Sequence, residues 1–245
     1  MRGKTHFTIG ILSIIEASIL FKIPISLLNL IICPLFSILP DLDEPNSTIS
    51  NILLKKDFSK KILKFLIYFI NILIFFISIK INRNFFVSAL TTFITIIIIE
   101  SKLNYNKLRK LFLSLIFILL SFSIYLISKQ IPFVMFCLIL AIFPWLKHRG
   151  YSHSLSAVLI IYFLLKQIEL ITNISNLTFF GTISYASHIF LGDIFTKYGV
   201  PIFYPLNKKR YSFGSFKVGS LFGNILEVVF VIFFILLIIY SIIKI

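Results

Sequence analysis

The chain contains only four histidines, and each stands beside other groups that bind cations or anions. His6 lies in THFTIG. Asp41 and Asp43 lie in LPDLDEPNS. His148 and His153 belong to HRGYSHS, and His188 and Asp193 to SHIFLGD. Imidazole and carboxylate are the usual ligands of zinc, manganese or iron. Three or four of them make one metal site. All seven together would suffice for one or two divalent ions, zinc first, with manganese or iron as alternatives. A bound metal brings the pKa of water down to about 7, and a second ion steadies a leaving oxygen. Arg149 suits phosphate or carboxylate oxygens and would stabilise developing negative charge. Gly150 lets the chain turn sharply, so that both histidines of HRGYSHS face one point. Asp43, or Asp41 if it is the less fully coordinated, would take the proton.

Plainer roles exist for each piece. His6 alone could be an interfacial polar residue. Asp41 and Asp43 follow Pro40 and could simply begin a turn. Ser152 or Ser154 suits a helix N-cap. An arginine and two histidines between long apolar runs are harder to place without use or solvation.

Those runs must position the polar blocks. Of 245 residues, 58% are hydrophobic and 13% charged, against about 25% charged in ordinary soluble domains. Nine apolar segments can be read: 7–21, 25–40, 62–80, 84–101, 110–128, 131–146, 155–171, 177–197 and 221–244. They predict an all-α polytopic transmembrane bundle of eight or nine segments, with residues 1–245 as one membrane domain. The first two segments are short and predict a tilted or partly embedded hairpin, kinked at Pro34. The first run has no small-residue cleavage site and is expected to be retained. Cys33 and Cys137 lie in apolar runs and predict small buried side chains, not a disulfide.

The net charge of +15 would suggest nucleic acid in a soluble protein. In this chain it fits cytoplasmic loops, and no nucleic-acid partner is expected. Lys55, Lys56, Lys60, Lys61 and Lys64 crowd one loop. Lys102, Lys107, Arg109 and Lys110 fall in another, Lys147 and Arg149 in a third, and Lys197, Lys208, Lys209, Arg210 and Lys217 in a fourth. The intervening loops are poorer in cations. The rule predicts a multi-pass protein of the cell membrane with a cytoplasmic N-terminus, and nine spans would put the C-terminus outside. Four segments separate LPDLDEPNS from HRGYSHS, and two more lead to His188. Both numbers are even, so all seven candidate ligands return to one face. Lys208, Lys209 and Arg210 join Arg149 as candidate contacts for an anionic headgroup. Glu16, Glu227, Asn29 and Asn71 are expected inside the membrane, as functional groups or as interhelical hydrogen bonders.

The blocks THFTIG, LPDLDEPNS, HRGYSHS and SHIFLGDIFTKYGVPIFYP, in that order, resemble the membrane-bound metal-dependent hydrolases that include the LexA-regulated inner-membrane protein of enteric bacteria. The resemblance implies ligand roles for His6, Asp41, Asp43, His148, His153, His188 and Asp193, and an anion-binding or structural role for Arg149. It implies a membrane-embedded hydrolase, and the membrane lipid around it makes a lipid phosphate ester the natural substrate. Two departures stand out. The family spaces its last His and Asp four apart, whereas His188 and Asp193 are five apart, about 140° around a regular helix. Either a π-bulge at Gly192 restores their facing, or one of them is not a ligand. Second, residues 62–146 add helical scaffold between two motif blocks. Two rivals remain: a metal or solute transporter, which would place its ligands near the membrane midplane, and a non-catalytic protein with a closed structural metal.

Overall fold

A computed structural model describes residues 1–102, 105–214 and 216–244. The described residues form ten α-helices and no extended strands, only two isolated bridges. In chain order the helices are α1 Gly3–Phe21, α2 Leu27–Phe36, α3 Thr48–Leu53, α4 Lys56–Asn82 and α5 Phe85–Lys102. They continue as α6 Tyr105–Ser128, α7 Ile131–Ile142, α8 Leu155–Thr172, α9 Leu177–Ser187 and α10 Leu221–Lys244.

Neighbouring helices pack as hairpins: α1 with α2, α4 with α5, α6 with α7, and α8 with α9. Each hairpin turns on a residue in the left-handed region: Lys22, Arg83, Lys129 and Asn173, with φ between 51° and 55°. Their amides bond back to carbonyls of the preceding turn, for example Asn173 to Glu169 at 2.9 Å. This closes the helix ends. Three of the four are basic, which also suits the negative end of the helix dipole. Lys22, Arg83 and Lys129, which lie in the loops poorer in cations, therefore have a structural use.

Among the described residues, five helices are long and apolar enough to cross a membrane: α1, α4, α6, α8 and α10. This is fewer than the eight or nine segments expected. For three of the segments the shortfall has a physical cause. Helices α2, α7 and α9 have 10, 12 and 11 residues, about 15–18 Å at 1.5 Å per residue. Each stops where a polar block begins. Pro34 lies in the last turn of α2, and a 3-10 turn follows at Leu39–Asp43. Helix α7 gives way to a 3-10 turn holding Pro144. Helix α9 runs into a π-turn at His188–Gly192 and then a 3-10 turn at Asp193–Phe195. The returning arms of three hairpins are cut short to present side chains at one end of the bundle.

The core lies among α1, α2, α7, α8 and α9, around Ile14, Phe36, Ile161, Leu165, Phe180 and Tyr185. Cys33 and Cys137 are both buried and free, as expected. The outer faces of α4, α5, α6 and α10 expose large apolar side chains such as Phe65, Phe86, Leu119 and Ile243. In water such a surface would be an aggregation hazard; in a bilayer it meets lipid.

Of the buried charges, Arg109 changes role from that read in the sequence, and Glu227 takes the interhelical hydrogen-bonding role, one of the two read for it. Arg109, counted there among loop cations, is fully buried on α6. It donates to the Ser50 carbonyl at 2.9 Å and to Asn51 Oδ1 at 2.7 Å. It thereby caps α3, which follows the Asp41–Asp43 turn. Glu227, on the first turns of α10, accepts from the Arg2 amide at 3.1 Å and from Thr5 Oγ1 at 2.6 Å. Helix α1 has no cap of its own at Arg2, so Glu227 supplies one from another helix and fixes the turn that carries His6. Glu16 bonds Ser241 at 2.7 Å and ties α1 to α10.

Candidate metal centre

All seven candidate ligand residues meet at one end of the bundle. Two groups can be drawn whose ligand atoms lie within 4.8 Å of one another: His6, His188 and Asp193, and Asp41, His148 and His153. The groups adjoin, with His153 Nε2 3.1 Å from His188 Nε2 and 3.3 Å from Asp193 Oδ2. His188 Nε2 is 3.6 Å from Asp41 Oδ1 and 3.8 Å from Asp193 Oδ2.

Local backbone devices bring these groups together. The five-residue spacing of His188 and Asp193 is resolved by the π-turn that spans His188–Gly192. A widened turn brings residues five apart onto one side, so both point inward. Gly192 has a second reason to be glycine: a methyl group there would run into the His6 ring. That ring stacks on His188 with centroids 3.7 Å apart and planes 20° apart. In HRGYSHS, Arg149 takes φ of 55°, and a Cβ at Gly150 would meet the Lys147 carbonyl at 2.6 Å. The bend therefore requires glycine next to a residue in an unfavourable backbone region, the kind of strain that collects at functional sites.

Hydrogen-bond accounting fixes the imidazoles. His188 Nδ1 lies 2.6 Å from the Ser37 carbonyl. A carbonyl only accepts, so Nδ1 carries the hydrogen and Nε2 offers its lone pair. Ser152 Oγ spends its single proton on Asp43 Oδ2 at 2.6 Å. His153 Nδ1, 3.0 Å from the same hydroxyl, must then donate to it. Its Nε2 is left facing His188 Nε2. Two nitrogen lone pairs pointed at each other, beside two carboxylates, call for a cation.

In the metal-free chain a proton answers that call. Burial alone would lower the His153 pKa; the Asp43 and then the Asp193 carboxylates outweigh it and lift it to about 9. Burial alone would raise the Asp43 carboxyl; His153 and His148 outweigh it and hold it down at about 2. His6 points the same way. It is buried, neither ring nitrogen has a hydrogen-bond partner, and Nε2 lies 3.4 Å from Asp193 Oδ1. An orphaned buried polar atom costs about 1–3 kcal/mol, and a metal–nitrogen bond would remove that penalty. By donor type, tautomer and unmet valence, the residues fit a divalent metal.

Asp43 stands behind the imidazoles. Its Oδ1 accepts from His148 Nδ1 at 2.7 Å, and its Oδ2 accepts from the Arg149 amide at 3.1 Å and from Ser152. This is how a carboxylate orients metal-ligating histidines from behind. Arg149 lies against Asp193, with NH2 3.0 Å from Oδ1, and donates to Thr196 Oγ1 at 2.6 Å. The Met1 amino group is 2.9 Å from the same Asp193 oxygen.

Sequence reading missed several supports. They are the Ser37 carbonyl, Ser152 as the bridge to Asp43, Thr196, the Glu227 cap, and Tyr185, whose hydroxyl donates to the Ser152 carbonyl at 2.7 Å. Only Ser152 carried a signal, its place inside HRGYSHS. The N-cap offered to Ser152 or Ser154 belongs to Ser154, which accepts from the Ala157 amide.

The centre opens into a cavity of about 690 Å³. Asp41, His148, Arg149 and Asp193 form its inner wall, and Arg2, Lys4, Arg210, Lys217 and Tyr198 its rim. His148 is 40% exposed there, so at least one ligand faces open space. Of the basic run, Arg210 reaches the cavity. Lys208 and Lys209 are exposed and lie outside its lining.

An all-helical chain with apolar spans and a buried His/Asp centre at one end of the bundle defines a class: membrane proteins with a metal-type site. The family model for the YdjM inner membrane protein matches residues 1–245. The chain therefore belongs to that family, the family of the LexA-regulated inner-membrane metal-dependent hydrolase. No curated protein and no solved structure matches it.

Proposed function

We propose that the chain is a multi-pass membrane hydrolase that uses one or two divalent metals, zinc first, to cleave an anionic phosphate ester at the cytoplasmic face. One observation carries this reading. Two imidazoles with fixed tautomers aim their Nε2 atoms at a point shared with Asp41 and Asp193, at the base of an open basic cavity.

His6, His188 and Asp193 would hold one ion, and Asp41, His148 and His153 the other. A bound divalent ion supplies Lewis acidity and an activated water at neutral pH. Asp43 holds His148 and His153 in register. With both its oxygens engaged, it serves as a positioning residue better than as the free base expected from sequence. Asp41 is the better candidate proton acceptor, through the carboxylate oxygen that would not face the metal, since no hydrogen bond engages its carboxylate and it lines the cavity. Arg149 orients Asp193 through the contact of its NH2 with Oδ1 and presents positive charge to the cavity wall. A closed structural metal would want every ligand sealed from solvent, and the exposed edge of His148 speaks against that. A transporter would want its ligands near the midplane, whereas these lie at helix ends.

The test combines metal content with turnover of p-nitrophenyl phosphate by detergent-purified protein. Wild type should hold metal and cleave the ester, and Asp41→Asn should lose at least 100-fold in kcat and no more than the one metal equivalent that Asp41 would help to hold. A metal-loaded wild type that cleaves no phosphate ester would end this reading.

A further inference from the structure

A second cavity adjoins the first. It has a volume of about 420 Å³, and every side chain lining it is apolar. Phe222, Leu226, Val229, Phe230 and Phe233 form its long wall, a stripe at helical spacing on α10. Phe195 and Phe216 form its other wall.

That second wall belongs to the metal centre's own segment. Phe195 follows Asp193 by two residues. The Phe216 carbonyl accepts from the Lys197 amide at 3.0 Å, next to Thr196, which holds Arg149. Met1 lines both cavities and stands between them. One cavity is lined by the cations Arg2, Lys4, Arg149, Arg210 and Lys217 together with Asp41, Glu44 and Asp193; its neighbour is wholly apolar. The groove runs along a 24-residue helix that is long and apolar enough to span a membrane. Phe222, Val229 and Phe233 are each more than half exposed along it, so it opens sideways toward the acyl region of a bilayer.

We propose that this groove holds the hydrocarbon chain of an anionic lipid whose phosphate lies in the basic cavity, so that the substrate enters laterally from the membrane. The proposal deepens the hydrolase reading for the identity of the substrate. The lipid occupancy itself does not depend on turnover. The adjacency of the two cavities across Met1 and their opposite chemistry point to the occupant: charge at one end, hydrocarbon at the other.

The test uses the full-length protein in phosphatidylcholine vesicles carrying a trace of phosphatidic acid with a photoreactive diazirine on its chain. A neutral diacylglycerol with the same chain is the control. Adducts should map to Phe195, Phe216 and Phe222–Phe233 and exceed those of the control at least fivefold there. Labelling of α4, a lipid-facing reference, should be equal with both probes. Lys4→Gln/Lys217→Gln should abolish the excess. Val229→Trp, which fills the groove on an exposed face, should remove the groove adducts while metal content stays unchanged. Equal labelling by both probes, or uniform labelling along α10 and α4, overturns the proposal. Failure of the protein to cleave p-nitrophenyl phosphate would strike the hydrolase reading alone, and the headgroup-dependent adducts would remain.

Discussion

Asp43→Asn tests how the centre is held. The carboxylate receives His148 Nδ1 at 2.7 Å on one oxygen, and the Arg149 amide and Ser152 hydroxyl at 3.1 and 2.6 Å on the other. An amide keeps the shape but turns one oxygen into a donor. The backbone amide of Arg149 cannot reverse its role, so the carboxamide oxygen stays on that side and its NH₂ faces His148. That ring must then present a lone pair at Nδ1 and carry its hydrogen on Nε2, the nitrogen needed for metal. Outer-shell changes of this kind reduce metal affinity about 10–100-fold, which is about 1.4–2.7 kcal/mol. One charge-assisted hydrogen bond is also lost, about 1.5–3 kcal/mol of stability. The assay is competition for zinc against a chelator of known affinity, with thermal unfolding in the same detergent. Affinity within twofold of wild type would refute the orienting role. A loss beyond about 10⁴-fold would instead make Asp43 a direct ligand, as the sequence suggested.

Four further outcomes are expected. Gly192→Ala should push the His6 ring off His188 and destabilise by about 1–3 kcal/mol, with metal lost, as read by melting and elemental analysis; unchanged metal content would contradict the packing. Glu227→Ala should remove the cap of α1 and cost about 1–2 kcal/mol, whereas a surface change on α10 such as Ile243→Ala should cost less than 0.5 kcal/mol. Arg109→Leu should strand the α3 carbonyls and destabilise by about 1–3 kcal/mol while metal stoichiometry stays intact. The fourth concerns pH. His153 is raised from 6.5 to about 9, so its contribution to metal-free stability is fully present below pH 6.5 and fades as pH rises through 9. Metal displaces that proton, so apparent metal affinity should rise about tenfold per pH unit between 6.5 and 9. A flat profile would show that His153 gives up no proton to the metal.

The site was legible in the sequence because its residues are rare there. In a chain this apolar, His6, Asp41, His148, His153, His188 and Asp193 had few other uses, and even segment counts returned them to one end. The π-turn was legible too, from one anomaly, a five-residue spacing ending beside Gly192. The truncated arms were harder to see. Hydropathy runs continue through Leu39 and Phe195, although backbone hydrogen bonding has already changed from α-helix to 3-10 or π-turn. Partnerships set by helix adjacency left no trace. Nothing in the local sequence of Glu227 says that α10 lies against the start of α1, and Arg109 reads as a loop cation until α3 is placed beneath it. Lys208 and Lys209 shared their charge pattern with Arg210, yet only Arg210 lines the cavity.

The most direct test of the central claim is elemental analysis of the purified protein beside His153→Ala/His188→Ala, the pair whose Nε2 atoms face each other at 3.1 Å. The wild type should carry one or two equivalents of zinc, manganese or iron. The double variant should carry none while its helix content by circular dichroism matches wild type. A wild type that binds no divalent metal after reconstitution at pH 7.5, or a double variant that keeps its full complement, would contradict the account.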